Sequence, residues 1–282
     1  METIGIVGLG QIGGALALRL KKHCDITPVV YDQKETAVSA AVANGSIAAS
    51  SSGELASRCD VILLCVQTDQ QCIDVVTGDK GLLSGAQPGN CIVVLATVLP
   101  ATVQALARQA AGKGVNIVDS PVAGRGMYSV EEGTMSALVG NDGEVFERIK
   151  PVLSQFCSEV IPAGVLGSGA ALKLAHNILV YAGFAAMIEA EELARVSGVS
   201  EGLLEKVATS SGALSKLSAF FLPRYQSRRN QPHNKDEDAL LQVAALLVEK
   251  DLSDAAQLAR EHDINLPVAE LVSGLGSKIF QT

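Results

Sequence analysis

Short runs of consecutive apolar residues recur through the first half of the chain, at 3–7, 28–31, 60–66, 91–96, 115–118 and 136–139. Ala- and Leu-bearing segments suited to helices lie between them. Such runs suit strands covered on both faces, and their alternation with helices predicts a parallel α/β sheet. From residue 201 onward the pattern is helical without strand patterning. Helices are expected at 201–221, 239–250, 252–262 and 267–280, the first with Leu203, Leu204, Val207, Leu214, Leu217 and Phe221 available for packing. Phe220-Phe221-Leu222 reads as buried core or subunit contact.

Between the halves, residues 167–198 run without proline; Gly167 and Ser168 can begin a helix and Gly198 can close it. At 1.5 Å per residue this helix would be roughly 40 Å long, so it is expected to join two bodies. The expected division is a sheet domain at 1–164, a linking helix at 165–198 and an all-helical domain at 199–282. Segment 223–238, with Arg224, Arg228, Arg229 and Lys235 ahead of Asp236, Glu237 and Asp238, reads first as a solvated loop and alternatively as a lid.

Composition narrows the partners. A length of 282 residues suits two domains, and 48% hydrophobic with 18% charged residues suits a compact soluble chain. The net charge of −8 argues against nonspecific nucleic-acid or anionic-membrane binding, because phosphate contacts need clustered cations. Cysteines 24, 59, 65, 72, 91 and 157 show no metal spacing, so no metal is expected, and they read as small apolar residues of a reduced, cytoplasmic protein. With a strand beginning by Thr3 no signal peptide is expected, and the apolar run 178–188 is too short to span a bilayer without its charged flanks.

The first strand runs into Gly8-Leu9-Gly10-Gln11-Ile12-Gly13 and then a helix. In that context G-x-G-x-x-G is a dinucleotide turn: Gly8 permits the bend, Gly10 lets a pyrophosphate approach, Gly13 lets helix and strand pack, and the helix N-terminus offers free N–H groups. Asp32 ends the second strand, where a ribose 2′-hydroxyl would be held and a 2′-phosphate repelled; no arginine stands at 33, which favours NAD over NADP. Val66, Gln67, Gln71 and Thr97 follow strand ends, where adenosine or nicotinamide ribose would lie, though each also suits an ordinary loop.

Asp119-Ser120-Pro121-Val122-Ala123-Gly124-Arg125-Gly126 forms a loop whose N–H groups can collect a small anion, and Arg125 can add a fork to an oxyanion or simply face solvent. Lys173 and Asn177, four apart, share one face of the long helix. They could hold a carbonyl or hydroxyl oxygen, and taken alone they also suit a snorkelling lysine beside a surface asparagine.

Together the glycine turn, the 119–124 loop, Gly167-Ser168-Gly169 leading to Lys173 and Asn177, and Lys250-Asp251-Leu252 with Ala255 and Pro267 resemble the β-hydroxyacid dehydrogenases. The resemblance covers essentially the whole chain. It implies an N-terminal Rossmann doubly wound sheet, a long interdomain helix and an all-α C-terminal domain that forms dimers or tetramers. It places Gln11, Ile12, Asp32, Val66, Thr97 and Lys250 at the cofactor, Lys173 as the catalytic acid/base and Asn177 beside it holding the substrate. Ser120, Ala123, Gly124 and Arg125 are the expected substrate-facing residues.

Two departures matter. The family loop usually continues Val-Ser-Gly-Gly, whereas this chain has Val122-Ala123-Gly124-Arg125 and so lacks a hydroxyl toward the substrate carboxylate. Lys173, His176, Asn177 and Tyr181 echo 6-phosphogluconate dehydrogenase, but Val180 stands where that enzyme has a glutamate. The expectation is hydride transfer between NAD(H) and a small hydroxy acid or its semialdehyde or keto form. Reduction of an imine or non-acid carbonyl, and noncatalytic dinucleotide sensing, are the alternatives.

Overall fold

Ile4–Val7, with every residue buried, forms the central strand β1. To one side lie β2 (Val29–Tyr31) and β3 (Ile47–Ala48), and to the other β4 (Val61–Leu64), β5 (Cys91–Val94) and β6 (Asn116–Asp119), in the order β3-β2-β1-β4-β5-β6. All five pairings are parallel. The computed structural model describes residues 2–141, 143–229 and 234–282. These form two units that divide between Lys173 and Leu174.

Helices α1 (Gln11–Cys24), α2 (Glu35–Ala43), α3 (Ser52–Ser57), α4 (Asp69–Thr77), α5 (Leu82–Gly85) and α6 (Pro100–Ala111) connect these strands. Side chains alternate across the sheet. Ile4, Ile6, Leu63 and Val93 accordingly pack with Leu16 and Leu20 of α1, while Val7, Ile62, Leu64 and Val94 pack with Val76, Leu82 and Val103. The sheet is thus doubly wound, and strand order reverses between β1 and β4, where such folds leave a crevice.

A second sheet completes the first unit: β7 (Val122–Ala123), β8 (Met135–Val139) and β9 (Cys157–Pro162), with α7 (Met127–Glu132) and α8 (Gly143–Leu153) between. Only β8 is anticipated by the sequence pattern. β3 and β7 have two residues each, too few to show a period, and β9 is largely exposed.

Helix α9 (Ser168–Val196) runs 29 residues without a break. Among the described residues it alone is long and apolar enough, by length and composition, to cross a bilayer. The second unit comprises the rest of α9 with α10 (Leu203–Ser211), α11 (Lys216–Arg229), α12 (Lys235–Glu261), α13 (Pro267–Ser273) and α14 (Gly276–Phe280). Its core gathers Phe184, Ile188, Leu222, Val248, Leu252 and Val272. Phe184 stacks on Phe221 at 4.3 Å, and Phe280 meets Phe221 edge-on at 5.6 Å.

Four expectations for this half are corrected. The helix expected at 201–221 ends at Gly212, whose φ of +77° is left-handed. Much of 223–238 is helical rather than loop: Pro223 lies inside α11, and the Arg228 side chain is buried and pairs with Asp238 and Glu237. Residues 230–233 of that segment lie outside the described residues. The helices expected at 239–250 and 252–262 are one, α12, and the one expected at 267–280 divides at Gly274.

Candidate active site

The glycine turn has the geometry its spacing demands. Gly8 adopts φ +88°, and a Cβ there would lie 2.6 Å from the Cys65 carbonyl oxygen. A Cβ at Gly13 would lie 1.9 Å from the Gly8 oxygen, whereas one at Gly10 would meet nothing within 4 Å. Gly8 and Gly13 are therefore packing requirements, and Gly10 faces open space. No side chain caps Gly10 and no acidic residue lies in the first turn of α1, so the N–H groups at Gln11, Ile12 and Gly13 form a helix terminus fit for an anion.

A cleft of about 330 Å³ opens here, lined by Gly8, Leu9, Gly10, Asp32, Lys34, Val66, Gln67 and Gln71 among others. The Leu9 N–H donates to Asp32 Oδ2 at 2.6 Å and the Lys34 N–H to Oδ1 at 2.8 Å, fixing the carboxylate across the turn. Each oxygen keeps a lone pair for a ribose hydroxyl. Gln71 Oε1 accepts the Gln67 N–H at 2.8 Å, which leaves the Gln71 amide NH₂ as a donor at the cleft wall. Thr97 stands just beyond the carboxyl end of β5.

Ser120, Ala123, Gly124 and Arg125 fall on the segment joining β6 to α7. Ser120 is fully buried and its Oγ has no hydrogen-bond partner in the protein, an orphaned polar atom at the strand end. The Arg125 N–H donates to Ser129 Oγ at 3.0 Å, and its guanidinium pairs with Glu132. A Cβ at Gly124 would lie 2.6 Å from Met135 Sδ and 2.9 Å from Ser129 Cβ, so a larger residue there would have to displace those side chains.

Lys173, half-buried, and Asn177, buried, stand one turn apart on α9. Asn177 Nδ2 donates to Asp251 Oδ2 at 2.7 Å, and the Tyr181 hydroxyl donates to the same oxygen at 3.2 Å. Lys250 Nζ lies 2.9 Å from Asp251 Oδ1 and 3.0 Å from Asp254 Oδ2. Burial works to lower the Lys250 pKa, but the two carboxylates outweigh it and raise it above the ordinary value. Burial raises Tyr181 well above its ordinary value, and the Asp251 charge adds to the effect. The sequence marks Lys250 and Asp251 as a motif but not this network, because its members lie 70 and more residues apart. Among the described residues no cluster of three potential metal ligands occurs.

This strand order, glycine turn and anchored acidic residue define a dinucleotide-binding Rossmann fold. Residues 3–167 match the family model for the NAD-binding domain of 6-phosphogluconate dehydrogenase, and residues 167–279 match the NAD-binding model of NADP-dependent 3-hydroxyisobutyrate dehydrogenase. An uncharacterised oxidoreductase of Mycobacterium tuberculosis (strain H37Rv) is 34% identical over 97% of this chain and 93% of its own length. The 2-(hydroxymethyl)glutarate dehydrogenase of Eubacterium barkeri is 31% identical over 99% of this chain and 88% of its own. The crystal structure of a 3-hydroxyisobutyrate dehydrogenase from Salmonella typhimurium superposes with a TM-score of 0.83 at 26% identity, covering 98% of this chain and 93% of that one. The chain belongs to the β-hydroxyacid dehydrogenase family. It is an NAD(P)-dependent oxidoreductase of the class acting on CH–OH groups.

Proposed function

We propose that the protein interconverts a small β-hydroxy acid and its semialdehyde or keto form, with NAD(H) rather than NADP(H) and with Lys173 as general acid/base. The residues fit the cofactor: Gly10 leaves room for a pyrophosphate, the uncapped start of α1 meets its charge, and Asp32 is held to accept ribose hydroxyls and to repel a 2′-phosphate. When bound, the nicotinamide gives or takes the hydride. The chain's own groups do the rest. In reduction the Lys173 ammonium gives a proton to the substrate oxygen, and in oxidation the neutral amine takes it back. Asn177 holds the substrate, and the loop at 119–126, with Ser120, Ala123, Gly124 and Arg125, meets its carboxylate, the Ser120 hydroxyl being the buried polar group that has no partner within the protein.

The observation that carries this reading is the fixing of Asn177. With Nδ2 committed to Asp251, the carboxamide is held in one orientation a turn beyond Lys173 on α9. Such orientation is what positions a substrate for transfer. The test is Lys173→Ala, assayed with NADH and a panel of short aldehydes bearing a carboxylate. Turnover falls by about 10² to 10⁴ while NADH binding holds; unchanged turnover removes the lysine from the mechanism.

A homodimer or homotetramer and a cytoplasmic setting belong to the same proposal. Support for assembly comes from α9, α12 and α13, which leave Leu179 (76%), Leu246 (61%) and Leu271 (72%) exposed. Large apolar side chains exposed on three helices suit a surface that a second copy would cover. Size-exclusion chromatography with light scattering tests it, and a monomer across micromolar concentrations removes it.

A further inference from the structure

Asp119 ends β6 with its side chain wholly buried, and the chemistry above gives it no task. Both carboxylate oxygens accept from backbone at the start of α9: Oδ1 from the Gly167 N–H at 2.8 Å and Oδ2 from the Ala170 N–H at 2.7 Å. N–H groups in a first helical turn have no partner within their helix, so Asp119 caps α9 from a distant strand. Its own carbonyl accepts the Gly140 N–H at 2.7 Å, which ties the same residue to the end of β8.

The packing around this carboxylate admits nothing larger than glycine. A Cβ at Gly140 would lie 2.1 Å from Asp119 Oδ1, and one at Gly169 would lie 2.1 Å from the Leu138 carbonyl oxygen and 3.0 Å from Asp119 Oδ2. The first turn of α9 is therefore pressed onto β6 and β8 with the carboxylate as the fastening. Because both oxygens are acceptors, asparagine cannot replace it without setting an NH₂ group against a backbone N–H. Burial raises the Asp119 pKa, and the N–H donors of Gly167 and Ala170 oppose that rise.

Lys173 follows Ala170 by three residues, one turn along a rigid helix. We propose that Asp119 is a positioning residue for Lys173, setting through the first turn of α9 where the lysine nitrogen stands. This rests on the reading of Lys173 as the proton donor. A displacement of about 1 Å at a catalytic group costs about 10²-fold in rate, so loosening the fastening should appear in turnover and not in cofactor binding.

The experiment compares Asp119→Asn, Lys173→Ala and the double variant as purified full-length proteins. Asp119→Asn is expected to lower kcat about 30- to 100-fold. NADH affinity by fluorescence titration stays within about twofold, and amide exchange at Gly167 and Ala170 accelerates. In the Lys173→Ala background the same substitution is expected to cost no further turnover, because the residue it positions is gone. An equal loss in both backgrounds, or kcat within about threefold of the parent, overturns the proposal. Should Asp119→Asn fail to fold, Asp119→Glu keeps the charge but shifts both acceptors by a methylene, and the same comparison decides. If Lys173→Ala itself retains full turnover, the proton-donor reading has failed; if it is inactive while Asp119→Asn is fully active, only the positioning role has.

Discussion

Asn177 Nδ2 and Asp251 Oδ2 meet at 2.7 Å across 74 residues of sequence, inside the second unit. Asp251 is 4% exposed, and the same carboxylate accepts the Tyr181 hydroxyl and faces the Lys250 ammonium. Removing it leaves a carboxamide, a phenol and an ammonium without their shared partner. Asp251→Ala is expected to lower kcat/KM by about 10- to 100-fold, equivalent to about 1.4–2.7 kcal/mol of transition-state stabilisation. It should also lower unfolding free energy by about 1–3 kcal/mol, the usual cost of leaving buried donors without their acceptor, since Lys250 keeps Asp254 as its partner. Steady-state kinetics and urea unfolding check the two effects separately, and a variant matching the parent in both would strip Asn177 of its proposed anchor.

The clasp between Asp32 and the glycine turn carries a cofactor prediction. Two backbone N–H groups hold the carboxylate at the cleft wall, where its charge repels a 2′-phosphate. Asp32→Ser removes that repulsion and a ribose partner together. The ratio of kcat/KM for NAD over NADP is expected to fall by about 10² or more, as a difference of about 3 kcal/mol implies. Side-by-side kinetics with both cofactors measure it, and an unaltered ratio would place the selectivity elsewhere, with Lys34 the next residue to change.

Cysteine chemistry gives a third expectation. Burial pushes the Cys59, Cys65, Cys91 and Cys157 thiols up to about 12. At pH 8 the thiolate fraction of each is then about 10⁻⁴, and the thiolate is the reactive form. Iodoacetamide at pH 8 should leave the buried Cys59, Cys91 and Cys157 unmodified in the folded protein and label them after urea denaturation. Peptide mass spectrometry reads the difference, and rapid labelling of Cys59, Cys91 or Cys157 would count against the burial described.

The α/β half was legible because its signals are local. Ile4–Val7 and Cys91–Val94 are unbroken apolar runs, and Gly8, Gly10 and Gly13 are spaced by a turn that only glycine fits. Asp32 was found by its distance from that turn. The two-residue strands β3 and β7 carry no period, so the second sheet was not anticipated beyond β8. In the helical half the pattern suggested two helices, 239–250 and 252–262, yet α12 continues through Asp251, whose carboxylate finds tertiary partners. The polarity of 223–238 likewise suggested loop, and helix persists across Pro223 where Leu222 is buried in the core. The tasks of Asp119 and Asp251 were illegible for one reason: each meets partners at least 48 residues away.

Lys250 and Tyr181 flank Asp251, and both have raised pKa values, so the second unit should weaken in alkali. The direction follows from proton counting. Above the unfolded values, near 10 for tyrosine and 10.5 for lysine, the folded state still holds protons that the unfolded chain has lost. Stability contributed by each group is therefore complete below its unfolded pKa and declines as pH rises through the folded one, at up to about 1.4 kcal/mol per pH unit per group. Urea midpoints followed by circular dichroism should be flat from pH 7 to about 9.5 and fall beyond about 10. Tyr181→Phe removes one titrating group and should make that fall shallower, while sacrificing a hydrogen bond worth about 1 kcal/mol at neutral pH. An equally steep decline in the phenylalanine variant would show that Tyr181 does not carry the alkaline loss.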